Sequence, residues 1–330
     1  MRVGILGATG AVGRQMLECI SERKLNPEEI RVFASERSKG KKLPYEDTEL
    51  TVVTAESAED FKGLDYVLGA VSNAMSKHYR PMIEEAGAVY IDNSSAFRME
   101  DDVPLVVPEI NGADALTHHG VIANPNCSTI ITLMAVAPIA KVSPIEKMTA
   151  TTFQAVSGAG IPGLQELSAQ IDAIAKNEPV EHKTFPQQIA YNCIAEIGSF
   201  TENGYTTEEM KMQNEGRKIL HLPDLKVTCT CVRVPVYRSH SISVCVTTKD
   251  NVSVEEAENA ISSADGVRLV KDHTPFPLET SNQDIVFAGR VRESLTDEKS
   301  LALWCCGDQI RKGAATNAVQ IMEYLMSHQG

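Results

Sequence analysis

The first thirteen residues limit what this chain can fold into more than any other stretch. Arg2 to Leu6 is an apolar run of the kind a buried parallel strand needs. It leads without a spacer into Gly7-Ala8-Thr9-Gly10-Ala11-Val12-Gly13, after which Val12, Met16, Leu17 and Ile20 recur at helical spacing. Strand, glycine turn and helix open a βαβ unit. The glycines let backbone approach a pyrophosphate, whose charge is favoured at the helix N-terminus. The spacing is GxxGxxG, a variant of the GxGxxG dinucleotide fingerprint, and a ligand-free strand–helix turn would use the same glycines. A dinucleotide is expected at Gly7, Thr9, Gly10, Ala11, Val12 and Gly13.

The next units continue the pattern. A second strand, Ile30 to Ala34, ends at Ser35-Glu36-Arg37-Ser38-Lys39-Gly40-Lys41-Lys42. This is where the adenosine ribose lies in such folds. An acid there selects the NAD 2′-hydroxyl, and an arginine accommodates the NADP 2′-phosphate. Glu36 and Arg37 are both present, but two hydroxyls and four basic side chains favour phosphate. NADP is therefore expected, held by Ser35, Arg37 and Ser38. Asp65 to Val71 and Ala88 to Ile91 read as strands around a helix, Ala74 to Ala86, and Val103 to Val107 and Val121 to Ala123 as completing the sheet. Ligands collect at the carboxyl ends of such strands, where Ser72, Asn93 and Arg98 fall. Arg98 could fork onto an anion or be an ordinary surface arginine.

The last of these strands delivers the chain to Asn124-Pro125-Asn126-Cys127-Ser128-Thr129, followed by an apolar run to Lys141. A thiolate at a helix start is favoured by the helix dipole. Free cysteines are more often small buried hydrophobes, so Cys127 alone leaves both readings open. The other seven cysteines form no CxxC and no zinc spacing, so reduced thiols and no structural metal are expected.

Beyond Cys127 the strict alternation loosens. Ile145 to Phe153 reads as a strand ending in a second small-residue loop, Gln154 to Gly160, before a helix from Gly163 to Lys176. Residues 177–205 are irregular. Thr206 to Leu220 is a helix with Thr206 and Glu209 as a capping box. Glu208 and Lys211 share a face, as a surface ion pair or as substrate ligands. Lys226 to Val236 is a strand containing Pro235, with Arg233 and His240 an odd number apart. A strict strand would send them to opposite faces, and a bend at Pro235 would turn both inward. His240 could serve as a base or be structural. Ser253 to Ser263 is a helix, Ile285 to Arg292 and Leu301 to Cys306 are paired strands, and Asp308 to Met326 is a long final helix.

A chain of 330 residues exceeds one ordinary core and fits two domains. Its net charge of −13 argues against a nucleic-acid partner. No stretch reads as a membrane span or signal peptide, so a cytoplasmic protein is expected.

Taken in order, GATGAVG (7–13), ASERSKG (34–40), DNSSAFR (92–98), VPLVVPEIN (103–111), NPNCSTI (124–130), TFQAVSGAG (152–160), EEMKMQNEGRKIL (208–220), CVRVPVYRSHS (231–241) and DQIRKGAATNAVQ (308–320) resemble aspartate-semialdehyde dehydrogenase, most closely the bacterial type of Gram-positive organisms. The resemblance runs over nearly the whole chain. It implies an α/β fold: a Rossmann-type doubly wound parallel sheet, plus an α+β substrate and dimerisation domain with a mixed open-faced sheet. Residues 1–127 and 308–330 would form the NADP domain and 128–307 the catalytic domain. The implied reaction is the NADP-dependent, reversible reductive dephosphorylation of L-4-aspartyl phosphate to L-aspartate 4-semialdehyde in lysine, threonine and methionine biosynthesis. Cys127 is implied as nucleophile, His240 as general acid/base, and Gln154 as orienting the substrate. Asn126 would hold the reacting carbonyl and phosphate. Arg233 would pair with the substrate α-carboxylate, Glu208 with its α-amino group, and Arg98 and Lys211 with phosphate. Ser157 and Gly158 would line the nicotinamide end, with Gln309 where relatives carry an asparagine that touches the cofactor. A homodimer is implied, with a tetramer possible. N-acetyl-glutamyl-phosphate reductase shares the chemistry, and a non-catalytic nucleotide-binding paralogue is the rival of another class.

Overall fold

Five parallel strands, in the order β2-β1-β5-β6-β7, form the core of the first of two compact units in this computed structural model, which describes residues 1–328. The first unit comprises Met1–Asn126 and the chain from Ala314 onward. Its elements are β1 (Arg2–Leu6), α1 (Ala11–Glu22), β2 (Glu29–Phe33), a hairpin of β3 (Lys42–Tyr45) and β4 (Thr48–Thr51), β5 (Tyr66–Gly69), α2 (Asn73–Glu85), β6 (Val89–Asp92), the one-turn α3 (Pro108–Asn111) and β7 (Val121–Ala123). The C-terminal helix, Thr316–His328, belongs here too. Val3, Ile5, Met16, Ile20, Leu68, Ile91, Ile122, Val319, Ile321 and Met322 share one buried cluster. The strands are apolar on both faces because helices cover both, as parallel sheets require.

Two expectations fail, each for a visible reason. Residues 103–107 are not a strand; they make a single bridge, Leu105 to Ala123. Pro104 has no N–H to give a ladder, and the Asn111 side chain engages the flanking backbone, accepting from Val107 N at 2.9 Å and donating to the Leu105 carbonyl at 2.9 Å. The final helix is not regular from Asp308. Asp308 Oδ1 accepts from the Ile310 and Arg311 amides at 2.9 and 3.1 Å, a π-helical turn spans Arg311–Ala315, and regular helix begins at Thr316.

The second unit is Cys127–Gly313. The division thus falls one residue before the expected boundary at 127 and six residues after that at 307, because Asp308 and Arg311 bond to Arg238 and Asp284 of the second unit. Its elements are α4 (Cys127–Val142), β8 (Ile145–Gln154), α5 (Gly160–Ala175), α6 (Thr207–Ile219), β9 (Lys226–Arg233), β10 (His240–Thr248), α7 (Val254–Ser262), β11 (Val267–Val270), the one-turn α8 (Pro277–Thr280), β12 (Val286–Glu293) and β13 (Ser300–Gly307). The sheet order is β11-β12-β13-β10-β8-β9, with β8–β9 and β11–β12 parallel and the other pairs antiparallel. Helix α4 is apolar all round and buried from Ser128 to Ile139, as a central helix must be. It packs on β8, β10, β12 and β13 with α6 and α7 beside it. On the sheet's other face Thr151, Phe153, Ser243, Cys245, Ala302 and Trp304 are only partly covered, so this sheet is open-faced.

Among the described residues no helix is long and apolar enough to cross a membrane.

Candidate active site

The second unit gathers its functional side chains at one end of the mixed sheet. Strands β8 and β9 run parallel with Gln154 opposite Arg233, and β10 runs antiparallel to β8 with Ser241 opposite Phe153. The last residues of β8 and β9 and the first of β10 therefore share an edge. Arg233 and His240 do not sit on one bent strand. Strand β9 stops at Arg233, Pro235 lies outside it, and β8 separates the two residues. The link 234–239 runs along the loop after β8, with Val156 N donating to the Val236 carbonyl at 2.8 Å and Val234 N to that of Gln154 at 3.0 Å. Ser239 enters β10 with φ 73°, a left-handed conformation unusual for serine.

Cys127 opens α4, and its Sγ lies 3.3 Å from His240 Nε2. The other ring nitrogen, Nδ1, accepts from the Ala155 amide at 3.0 Å. His240 is fully buried, and this burial, with the Arg233 charge acting the same way, pushes its pKa down to about 3, while the Glu208 charge acts in the opposite sense. The ring is therefore neutral.

Arg233 is buried and donates through Nη1 to the Ala155 carbonyl at 2.6 Å. Burial draws its pKa down, opposed by the charges of Cys127 and Glu208. The ring centroid of Phe185, from the irregular segment, lies 5.9 Å from the guanidinium carbon. Gln154 accepts from Thr152 Oγ1 at 2.9 Å and donates to Glu208 Oε1 at 3.2 Å. Glu208 is a buried carboxylate on the first turn of α6, and it also receives Lys211 Nζ at 2.7 Å, an ion pair whose acid is buried and whose lysine is partly exposed. Gln309 donates to Ser157 Oγ and accepts from the Ser239 amide at 2.7 Å. Its amide thus clamps the Ser157 loop to the residue before His240. Gly158 is exposed beside this group.

The irregular segment is held by two side chains one turn apart on α5. Glu166 accepts from the amides of Lys183, Thr184 and Phe185. Gln170 Oε1 accepts from Ile189 and Ala190, both at 2.9 Å. Val156, Leu167, Phe185, Ile189, Ala190 and Ile194 form a small core beneath it.

In the first unit the glycine turn is tightly packed. Gly7 has φ 77°, and a Cβ there would collide with the Ala70 carbonyl; a Cβ at Gly13 would collide with that of Gly7. Both contacts are with the chain's own backbone, so the glycines let the turn and the start of α1 pack closely on β1, and the first helical turn, Ala11, Val12 and Gly13, carries no acid. Thr9 offers its carbonyl to Arg14 Nε at 3.2 Å. Glu36 pairs with Lys39 at 3.3 Å, while Ser35 and Arg37 are exposed and Ser38 is buried. Ser72 caps α2. Asn93 donates to the Gly69 carbonyl at 2.7 Å and accepts from Asn124 Nδ2 at 2.8 Å. Arg98 is buried, not a surface residue, and donates to the carbonyls of Asn124 at 2.9 Å and Asn93 at 2.8 Å. Asn126 is buried.

Sequence patterns did not point to Ala155, Phe185 or Ser239. Ala155 acts through its backbone, which no side-chain pattern reveals. Phe185 lies in a segment without periodicity, and Ser239 stands out only by its φ.

Fold and site together define an oxidoreductase with a dinucleotide-binding unit and a separate catalytic unit. Residues 2–118 match the semialdehyde dehydrogenase NAD-binding domain, and residues 136–312 the semialdehyde dehydrogenase dimerisation domain. The chain belongs to the aspartate-semialdehyde dehydrogenase family. It is 44% identical to aspartate-semialdehyde dehydrogenase of Synechocystis sp., covering 99% of this chain and 97% of that one, and 43% identical to that of Bacillus subtilis, covering 98% and 97%. Its fold matches aspartate semialdehyde dehydrogenase II of Vibrio cholerae, solved as a complex with ASA, at a TM-score of 0.97 and 41% identity over 100% of this chain and 99% of that one.

Proposed function

We propose that the chain interconverts L-aspartate 4-semialdehyde, phosphate and NADP with L-4-aspartyl phosphate and NADPH, through a thioester on Cys127, in lysine, threonine and methionine biosynthesis. The support is the Cys127 Sγ to His240 Nε2 distance of 3.3 Å at the start of a buried helix, in a family named for this aldehyde. The Cys127 thiolate adds to the aldehyde carbon, and the carbonyl π pair moves to oxygen. The Cys127 amide at the helix start and Asn126 are the donors for that oxyanion, and His240 is the general acid/base that takes the proton. NADP, when bound, supplies the hydride acceptor, and NADPH the donor in reverse. Phosphate, held by Arg98, Lys211 and Asn126, then opens the thioester and releases the thiolate.

Arg233 takes the substrate α-carboxylate, Glu208 its α-amino group, and Gln154 orients the chain between them. A buried carboxylate at 208 suits a free ammonium and not the acylated amine of an N-acetyl-glutamyl substrate. Gly7, Thr9, Gly10, Ala11, Val12 and Gly13 would hold the pyrophosphate. Ser35, Arg37 and Ser38 would hold the 2′-phosphate, since Glu36 is already paired with Lys39. Ser72, Asn93, Ser157, Gly158 and Gln309 would serve the nicotinamide end. A cytoplasmic homodimer, using the open face of the mixed sheet, is the assembly we propose, with a tetramer possible.

The test is NADP reduction with aspartate semialdehyde in the presence and absence of phosphate, repeated with NAD and with N-acetylglutamate semialdehyde. Phosphate dependence, faster turnover with NADP and no turnover of the acylated aldehyde are expected. Cys127→Ala should abolish turnover while NADP still binds; near-normal turnover would sink the nucleophile assignment.

A further inference from the structure

We propose that Thr152 is a positioning residue for Gln154: its hydroxyl pins the amide oxygen, so that the amide nitrogen stays turned to Glu208 when the substrate ammonium arrives there. The inference rests on the substrate reading above, in which Gln154 orients the aldehyde and Glu208 takes its α-amino group.

Met148, Ala150, Thr152 and Gln154 alternate along one buried face of β8, while Thr151 and Phe153 lie on the open face. The first two are apolar, and the two nearer the site are polar. Thr152 is 0% exposed. Valine has the same branched shape, suits a strand equally and buries no hydroxyl. Shape therefore does not account for a threonine at this position, and the hydroxyl does. It donates to Gln154 Oε1 at 2.9 Å, two residues along the same face.

The amide is held at its other end by Nε2, which donates to Glu208 Oε1 at 3.2 Å. Glu208 is itself fixed, because Glu209 docks the first turn of α6 onto β9. Glu209 Oε1 accepts from the Cys231 amide at 3.0 Å, and its Oε2 from the Thr206 amide at 2.7 Å. In the β8–β9 register Cys231 stands opposite Thr152, as Arg233 stands opposite Gln154.

Without substrate the Glu208 carboxylate alone selects this orientation, since the reverse amide would set two oxygens against each other. A substrate ammonium at Glu208 changes that balance. A cation beside the amide attracts its oxygen and favours turning the group over. Thr152 opposes the turn. After it, the hydroxyl proton would have to go to the Cys231 thiol, which the bond to Cys229 and burial hold protonated, and which is a weak acceptor. Gln154 therefore meets the substrate with its N–H and not with its carbonyl.

The test makes Thr152→Val and Thr152→Ser, each alone and with Gln154→Ala, and follows NADP reduction by steady-state kinetics. Thr152→Val should lower kcat/KM for aspartate semialdehyde by about fivefold or more, with KM for NADP within about twofold of the natural value. Thr152→Ser, which keeps the hydroxyl, should recover most of that loss. A packing role predicts the reverse order, because serine leaves a methyl-sized gap and valine fills the same shape. With Gln154→Ala present, valine and threonine at 152 should perform alike, because the pinned amide is gone. A valine effect that persists there overturns the inference, as does serine no better than valine, or valine without effect. Gln154→Ala with unchanged kinetics would instead sink the substrate reading of Gln154, and the inference would fall with it.

Discussion

The Arg233 guanidinium donates to the Ala155 carbonyl at 2.6 Å. That bond leaves the rest of a buried, five-donor fork at the edge where Gln154 and His240 also lie. Removing the charge by Arg233→Leu should leave the nucleophile working and the substrate poorly held. Losing one partner of a buried charge pair costs on the order of 2–5 kcal/mol. Steady-state kinetics should therefore give a specificity constant lower by more than about tenfold, most of it in KM. A smaller change would count against the carboxylate role.

Gly158 is the residue that tolerates this crowding. A Cβ there would lie 2.7 Å from Arg233 Nη1 and 3.4 Å from His240 Cε1. Gly158→Ala should displace the guanidinium from Ala155, because the side chain can move and the backbone loop cannot. The expected result is a fold as stable as the natural protein, with KM for aspartate semialdehyde raised several-fold. An unchanged KM would mean that Arg233 adjusts without consequence.

The strand–glycine–helix start was legible because backbone chemistry there demands glycine at Gly7 and Gly13. The capping box at Thr206 and Glu209 was legible because both partners are local, and both its bonds form. The apolar run 103–107 is not a strand because Pro104 withholds a ladder N–H and the Asn111 side chain takes the flanking backbone groups, and neither effect shows in hydrophobic pattern alone. The placement of Arg233 and His240 was not legible, since it depends on β8 lying between their strands, a long-range pairing that no local pattern encodes. Ala155 was invisible for a different reason: both of its contributions are main-chain.

Gln170 makes a prediction about the irregular segment. It is 1% exposed and accepts both the Ile189 and Ala190 amides. Gln170→Leu keeps the bulk but leaves those two N–H groups without an acceptor, at roughly 1–3 kcal/mol each. Hydrogen exchange should rise in residues 183–194 and little elsewhere. Because Phe185 sits beside Arg233, KM for the aldehyde should rise with it. Exchange unchanged in that segment would show that Glu166 and the apolar contacts hold it alone.

The buried ring of His240 also sets how the second unit responds to acid. Its pKa is about 3 in the folded chain, against an ordinary 6.5. Below 6.5 the unfolded chain takes up a proton that the folded one refuses, so stability falls as pH falls, by up to about 1.4 kcal/mol per unit, until the folded value is reached. Between pH 7 and 5 this one residue should account for about 2 kcal/mol of lost stability. The chain's single tryptophan, Trp304, lies on β13 of the same unit and reports its unfolding by fluorescence. Denaturant titrations at the two pH values should show the natural protein losing about 2 kcal/mol more than His240→Gln. Equal losses in the two proteins would mean that the histidine is not held neutral in the folded chain.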